Sequence, residues 1–336
     1  MKKHLKNIIA FLVTVFFTIL VFKSVDIKQT FEAFKLFRTE YIVPLMVIFL
    51  LIMIVRTKRW DILLKNKSVK FGSIFEVYMI SNLLNIFLPA RAGDVFRSCY
   101  FGSKYDISKL QVLGSVAAER ILDGLSVVFI LLLGMMFYGH SPFITKLAIS
   151  SSLIFVLSFI FVIWIYKNNK CDYICSYVKS WANTLGRKIG KILYELTDKI
   201  QPLLNSFIKG FEPLAEPKVL FKVITLSLFS WLFDCILLYC LILIFGIKAS
   251  FIISFFIVSF SALSTIIPSS SIYVGLYQYA FILAFNLFGI DNSIALSFSL
   301  VQQGIVLLTY ALVILYLFIK DRKNLLEIRK ETDLNG

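Results

Sequence analysis

Arg91, Asp94 and Arg97 recur every third residue in the stretch Asn85-Ile86-Phe87-Leu88-Pro89-Ala90-Arg91-Ala92-Gly93-Asp94-Val95-Phe96-Arg97. If a helix restarts near Gly93, that spacing sets all three on one side of its first two turns. A guanidinium is a planar fork that pairs bidentately with a phosphate, and Asp94 can neutralise one arginine while leaving net positive charge. Two readings stand side by side: charges at a membrane lip that only set topology, or a pocket for an anionic group. A second cluster, Glu119, Arg120 and Asp123, places two acids four residues apart on one helix face. Those acids can anchor Arg91 or Arg97, or touch a substrate directly. Asn82 and Asn85 can cap or brace the first stretch.

A second interruption reads Ile267-Pro268-Ser269-Ser270-Ser271-Ile272-Tyr273-Val274-Gly275 and is followed by Tyr277 and Gln278. Its polar residues are uncharged. Ser269, Ser270, Tyr277 and Gln278 can bond a headgroup or satisfy the backbone opened at Pro268 and Gly275. Asp234, close to Trp231, and Gln302, next to Gln303, are isolated polar residues inside apolar runs and are candidates for lining a path.

No P-loop, HExxH, GxSxG or Asp-x-Asp pattern occurs. Cys171 and Cys175 have His4 and His140 only at a distance, which disfavours a zinc site. No catalytic residue, metal or cofactor is therefore expected.

The elements that must hold these residues are membrane helices. With 59% hydrophobic residues, 16% charged, 34 Phe and a mean hydropathy of +0.84, the 336-residue chain has too little polar surface for a soluble globule. The net charge of +15 is spread between the apolar runs, which points to topology and anionic lipid rather than nucleic acid. A ruler of about 20 residues per crossing marks spans near 5–22, 41–55, 121–139, 147–166, 219–245 and 293–319. The basic N-terminal tail and the basic segments 56–70, 167–218 and 320–336 are expected on the cytoplasmic side, so both termini are too.

Parity then makes 71–120 and 252–288 enter and return as re-entrant hairpins from opposite faces, broken at Pro89 and Gly93 and at Pro268 and Gly275. The expected fold is a single-domain, all-α polytopic helical bundle over 1–336. Segment 167–218 is either an amphipathic surface element or a solvated linker.

The motifs quoted from Asn85 to Arg97, then Glu119-Arg120-Ile121-Leu122-Asp123, then Ile267-Pro268 and Gly275 to Ala280, resemble the lysylphosphatidylglycerol synthase transmembrane-region, or flippase-like domain, family. The resemblance runs in order over essentially the whole chain. It implies a first signature of Pro89, Arg91, Gly93, Asp94 and Arg97 and a second of Glu119, Arg120 and Asp123. Taken with the charges, it points to Arg91, Arg97 and Arg120 at a lipid phosphate, with Asp94, Glu119 and Asp123 as ion-pair supports.

The implied activity is binding and translocation of an anionic lipid, an aminoacylated phosphatidylglycerol or a polyprenyl-phosphate carrier, in the plasma membrane. The alternatives are a component of a phosphatidylglycerol lysyltransferase whose catalysis needs a separate domain, and a scaffold for a partner synthase or glycosyltransferase. The chain departs from the family in having Asp94 where Glu is usual, and Ser270, Ser271 and Gln278 where the family has a Gly-rich run and an acid. The second departure argues against proton coupling through that hairpin.

Overall fold

The computed structural model describes residues 2–65, 68–88, 91–139, 141–168, 170–182, 187–267 and 275–334, without the side chains of 2–12, 170, 171, 174, 187–189 and 321–334. The expected breaks at Pro89 and Pro268, the candidates Ser269 and Ser270, and His140 lie outside the described residues. Every regular element among the described residues is helical: α1 Lys2–Ser24, α2 Ile27–Phe34, α3 Ile42–Leu64, α4 Phe71–Phe87, α5 Ala92–Lys104, α6 Lys109–Tyr138, α7 Pro142–Lys167, α8 Lys170–Ala182, α9 Arg187–Lys209, α10 Pro217–Ile244, α11 Ile252–Ser264, α12 Leu276–Asn286 and α13 Asn292–Leu334, with short 3₁₀ turns between. The chain is an all-α polytopic membrane protein.

Local chemistry starts and stops these helices. Ser141 caps α7 by accepting from the Ile144 N–H, with Pro142 in the first turn where its missing N–H costs nothing. Gly139 ends α6 at φ +98, a region that L side chains rarely adopt.

Five helical stretches are long and apolar enough to cross a bilayer: Thr39–Leu64, Lys109–Tyr138, Pro142–Lys167, Pro217–Ile244 and Asn292–Lys320. Of the first expected crossing, the apolar part with described side chains is Val13–Ser24. Two sequence expectations need correction. The second crossing does not stop at residue 55 but continues to Leu64, so Arg56 and Arg59 belong to a helix rather than a loop. The third begins at Lys109 rather than 121, so Glu119, Arg120 and Asp123 lie inside α6, about 15 Å or more from its start, and not at its mouth. The physical reason is the same in both cases. These charges are paired within the bundle, and a paired charge does not oblige a helix to end.

The helices α5, α11 and α12 have 13, 13 and 11 residues. At about 1.5 Å per residue none reaches across ~30 Å of hydrocarbon. Consecutive helices α4 and α5 pack on each other, as do α11 and α12, forming the two hairpins. Lys65 donates to Glu212 at 3.1 Å, tying the end of α3 to the turn before α10. At the opposite end Asn292 donates to the Ser24 carbonyl at 2.9 Å, tying α13 to α1. Tracing the chain between these ties puts the α4–α5 hairpin, the α8–α9 pair, the start of α1 and the far end of α13 at one end, and the α11–α12 hairpin at the other.

Two glycines make close packing possible at the breaks. A Cβ on Gly93 would lie 2.1 Å from the Ser81 carbonyl oxygen and 2.7 Å from the Asn85 nitrogen, so only glycine lets α5 fold back on α4. Gly275 has φ +83 and would place a Cβ 2.6 Å from the Thr18 nitrogen, where α1 crosses the second hairpin. Gly93→Ala is accordingly expected to destabilise the fold by about 3 kcal/mol. Gly304→Ala, whose Cβ meets nothing within 4 Å, serves as the neutral control. Thermal unfolding of both variants in the same detergent checks this.

The expected surface segment forms two paired helices. Asp172 on α8 accepts from Gln201 at 2.8 Å and Asn205 at 2.9 Å on α9, and these bonds hold its carboxyl below the usual carboxylate range. Ile192, Leu196, Ile200 and Leu203 make an exposed apolar stripe along α9.

Candidate functional site

The charged signatures meet inside the bundle. Arg97 on α5 donates to Glu119 at 2.9 Å and to Asp94 at 3.4 Å. Arg120 on α6 holds Asp94 through two bonds, Nη2 to Oδ1 at 2.9 Å and Nε to Oδ2 at 3.0 Å, and reaches Asp123 at 3.2 Å. Arg59 on α3 bridges Asp123 at 2.7 Å, Glu119 at 3.0 Å and the Ser227 hydroxyl at 2.8 Å. Arg56, one helical turn away on α3, pairs with Asp234 on α10 and lies 4.6 Å over the Trp231 ring, whose indole N–H donates to Asp123 at 3.0 Å. Four arginines and four carboxylates thus form one contiguous network of zero net charge.

Each part is positioned by its helix. On α3 the residues Leu45, Phe49, Ile52, Arg56, Arg59 and Leu63 follow at alternating spacings of four and three, one continuous inward stripe. Arg97 is sealed between aromatic faces, 4.5 Å from the Trp60 ring centre and 5.0 Å from Tyr78. Tyr78 also donates to Glu119 at 2.8 Å. Asn85 and Asp94 clasp the first hairpin reciprocally: the Asn85 amide donates to the carboxylate at 2.9 Å, and the Asp94 N–H donates back at 3.1 Å.

The expected residues therefore separate into different places. Asp94, Glu119 and Asp123 carry the network, and Asn85 braces the hairpin. Arg97, expected at a lipid phosphate, is 0% exposed and acts as a strut. Arg120 is 27% exposed but its guanidinium is divided between Asp94 and Asp123. Asn82 donates to the Tyr78 carbonyl of its own helix at 2.9 Å. Gln278 accepts from the Gly275 N–H at 2.8 Å, which caps α12, and donates to Gln303 at 3.0 Å. Tyr277 donates to Gln302 at 2.8 Å, so the second hairpin is pinned to α13.

Arg91 is placed differently. It precedes α5 in a left-handed conformation, φ +52, ψ +42, and its guanidinium donates to the Thr265 hydroxyl just past the end of α11. That contact joins the tips of the two hairpins, which come in from opposite ends. Phe87, Leu88 and Val95 of the first hairpin and Ile266 and Ile267 of the second are exposed beside it. The result is a cation rimmed by apolar side chains at the depth where both helices are interrupted.

Sequence reasoning missed Arg56, Arg59, Trp60, Tyr78, Ser227, Trp231 and Thr265 as members of these sites. The four-three stripe on α3 was the available signal for its two arginines. Among the described residues no cluster of His, Cys, Asp and Glu suits a metal ion.

Known proteins share this arrangement of sequence. The UPF0104 membrane protein MJ1595 of Methanocaldococcus jannaschii is 22% identical over 315 residues, which cover 90% of each chain. The UPF0104 membrane protein MJ1078 of the same organism is 24% identical over 74% of this chain and 98% of its own. A UPF0104 membrane protein of Methanothermobacter thermautotrophicus is 21% identical over 78% of this chain and 80% of its own. No solved structure gives a significant match. Residues 7–314 match the family described as lysylphosphatidylglycerol synthase TM region, and with nearly the whole bundle covered the chain belongs to that family.

Proposed function

We propose that the protein binds the phosphate of an anionic lipid at Arg91, where the two hairpin tips meet, and carries that lipid across the bilayer. The observation that carries the reading is the Arg91–Thr265 contact between hairpins coming in from opposite ends. Broken helices meeting inside a membrane are where transporters hold charged groups, because interrupted backbone is tolerated only beside protein, water or ligand. The exposed apolar residues beside Arg91 suit acyl chains as the guanidinium suits a phosphate.

A cleft lined by Lys65, Gln111, Ser115, Lys209 and Glu212 among others is water-sized, ≈ 30 Å³, far below the roughly 300 to 1,000 Å³ of a ligand pocket. In this reading a lipid meets the tips sideways, its tails remaining in the bilayer. The lipid is an aminoacylated phosphatidylglycerol or a polyprenyl-phosphate carrier.

Purified protein in liposomes tests the reading against its rivals. Headgroup movement without a new lipid species supports it. A new lipid species indicates a transferase component, and neither result indicates a scaffold for another enzyme. The end bearing α8 and α9 faces the cytoplasm of the plasma-membrane-bound cell in this account, in keeping with its basic residues. A cysteine at Lys191, exposed on α9, should react with an impermeant maleimide only after the cells are opened. Labelling of intact cells would reverse the orientation.

A further inference from the structure

Three of the network's four carboxylates are held by two arginines each and by one neutral donor. Asp94 has Arg97, Arg120 and Asn85; Glu119 has Arg59, Arg97 and Tyr78; Asp123 has Arg59, Arg120 and Trp231. Asp234 differs. Among the described residues it accepts from Arg56 alone, through Oδ2, and its side chain is the most exposed of the four at 16%. A carboxylate loses its proton more readily with each donor that holds the anion, so the member with fewest donors is the one that takes a proton first.

The surroundings of Asp234 are otherwise poor in charge. Arg56 faces it from α3, Asp123 from α6, Tyr277 from α12 and Tyr310 from α13, with Cys235 beside it on α10. Helix α11, with the sequence IISFFIVSFSALS, brings no ionisable group. The acid lies 17 residues into α10, about 25 Å from its start, and so deep in the bundle.

We propose that Asp234 is a proton-binding site whose occupancy is linked to anionic-lipid binding at the hairpin tips; the lipid half of this proposal rests on the reading of Arg91 given above. Protonation breaks the charge pairing with Arg56 and turns a network of zero net charge into one of net positive charge, the sign that favours an anion. The contacts run on from there. Arg56 lies over Trp231, Trp231 donates to Asp123, Asp123 shares Arg120 with Asp94, and Asp94 belongs to the first hairpin. On the other side Tyr277 begins α12 of the second hairpin. By linkage, a proton that strengthens lipid binding is itself bound more strongly when lipid is present.

The test uses the full chain in bilayers, with phosphatidylglycerol as the lipid probe. Wild type should take up protons from a weakly buffered medium as the lipid binds, and an acidic compartment on the lipid-loading side should speed transport. In Asp234→Asn both the proton uptake and the speeding should be lost. The double variant Arg56→Gln with Asp234→Asn removes both charges of the pair, leaves no orphaned arginine, and should behave in the same way.

Proton uptake of wild-type size in either variant would overturn the proposal. If wild type binds no phosphatidylglycerol, the reading of Arg91 fails for that lipid, and infrared difference spectra still decide the proton site. A carboxylic-acid carbonyl band that appears on mild acidification of wild type and is missing in Asp234→Asn supports it. Identical bands in the two proteins refute it.

Discussion

Arg59→Ala is expected to destabilise the folded protein by roughly 3 to 5 kcal/mol, because it removes the one side chain that bridges Glu119, Asp123 and Ser227 at 0% exposure. Glu119 keeps Arg97 and Asp123 keeps Arg120, but the network is left with one uncompensated negative charge where water cannot reach it. That charge, rather than the lost contact, dominates the cost. Arg59→Ala combined with Glu119→Gln restores zero net charge and should recover much of the loss. Arg59→Lys keeps the charge without the fork and should fall between. Unfolding of the single and double variants in detergent, analysed as a double-mutant cycle, measures the coupling. Additive losses would mean that the four arginines and four acids act as separate pairs.

The second large effect is on transport. Arg91→Lys keeps a cation at the hairpin tip but replaces a planar two-handed donor with a point charge, and a bond to a charged group is worth about 1.5 to 3 kcal/mol. At about 1.4 kcal/mol for each factor of ten, lipid movement should fall by about tenfold to a hundredfold. Stability should change little, since none of the eight charges of the ion-pair network belongs to Arg91. A variant that both unfolds and loses transport would make Arg91 another strut.

Much of the architecture could be read from residue order. The signals of Pro89 with Gly93 and of Pro268 with Gly275 agree with α4 ending at Phe87 and α5 starting at Ala92, and with α11 ending at Ser264 and α12 starting at Leu276; Gly275 tolerates backbone that other residues avoid, whereas Gly93 is needed for the close approach of α5 to α4. The spacing of Glu119 and Asp123 was enough to suggest struts.

The limits of α3 and α6 were not legible in the same way. Hydropathy weighs Arg56, Arg59, Glu119, Arg120 and Asp123 as isolated charges, each expensive in a membrane, whereas in the bundle they cancel. That cancellation depends on α3, α5, α6 and α10, whose residues are up to 178 positions apart. Thr265 left no local trace at all, since its meeting with Arg91 spans 174 residues. The roles expected of Arg97 and Arg120 failed to separate from that of Arg91 for a related reason: regular spacing gives a shared helix face, but not which member of that face another helix has already claimed.

The central claim is that the meeting point of the hairpins holds a lipid phosphate. Gentle purification followed by mass spectrometry of retained lipids tests it most directly, on wild type and Arg91→Lys side by side. The account predicts an anionic lipid retained stoichiometrically by wild type and lost from Arg91→Lys, with both proteins unfolding at the same temperature. Equal retention of that lipid by the two would contradict it.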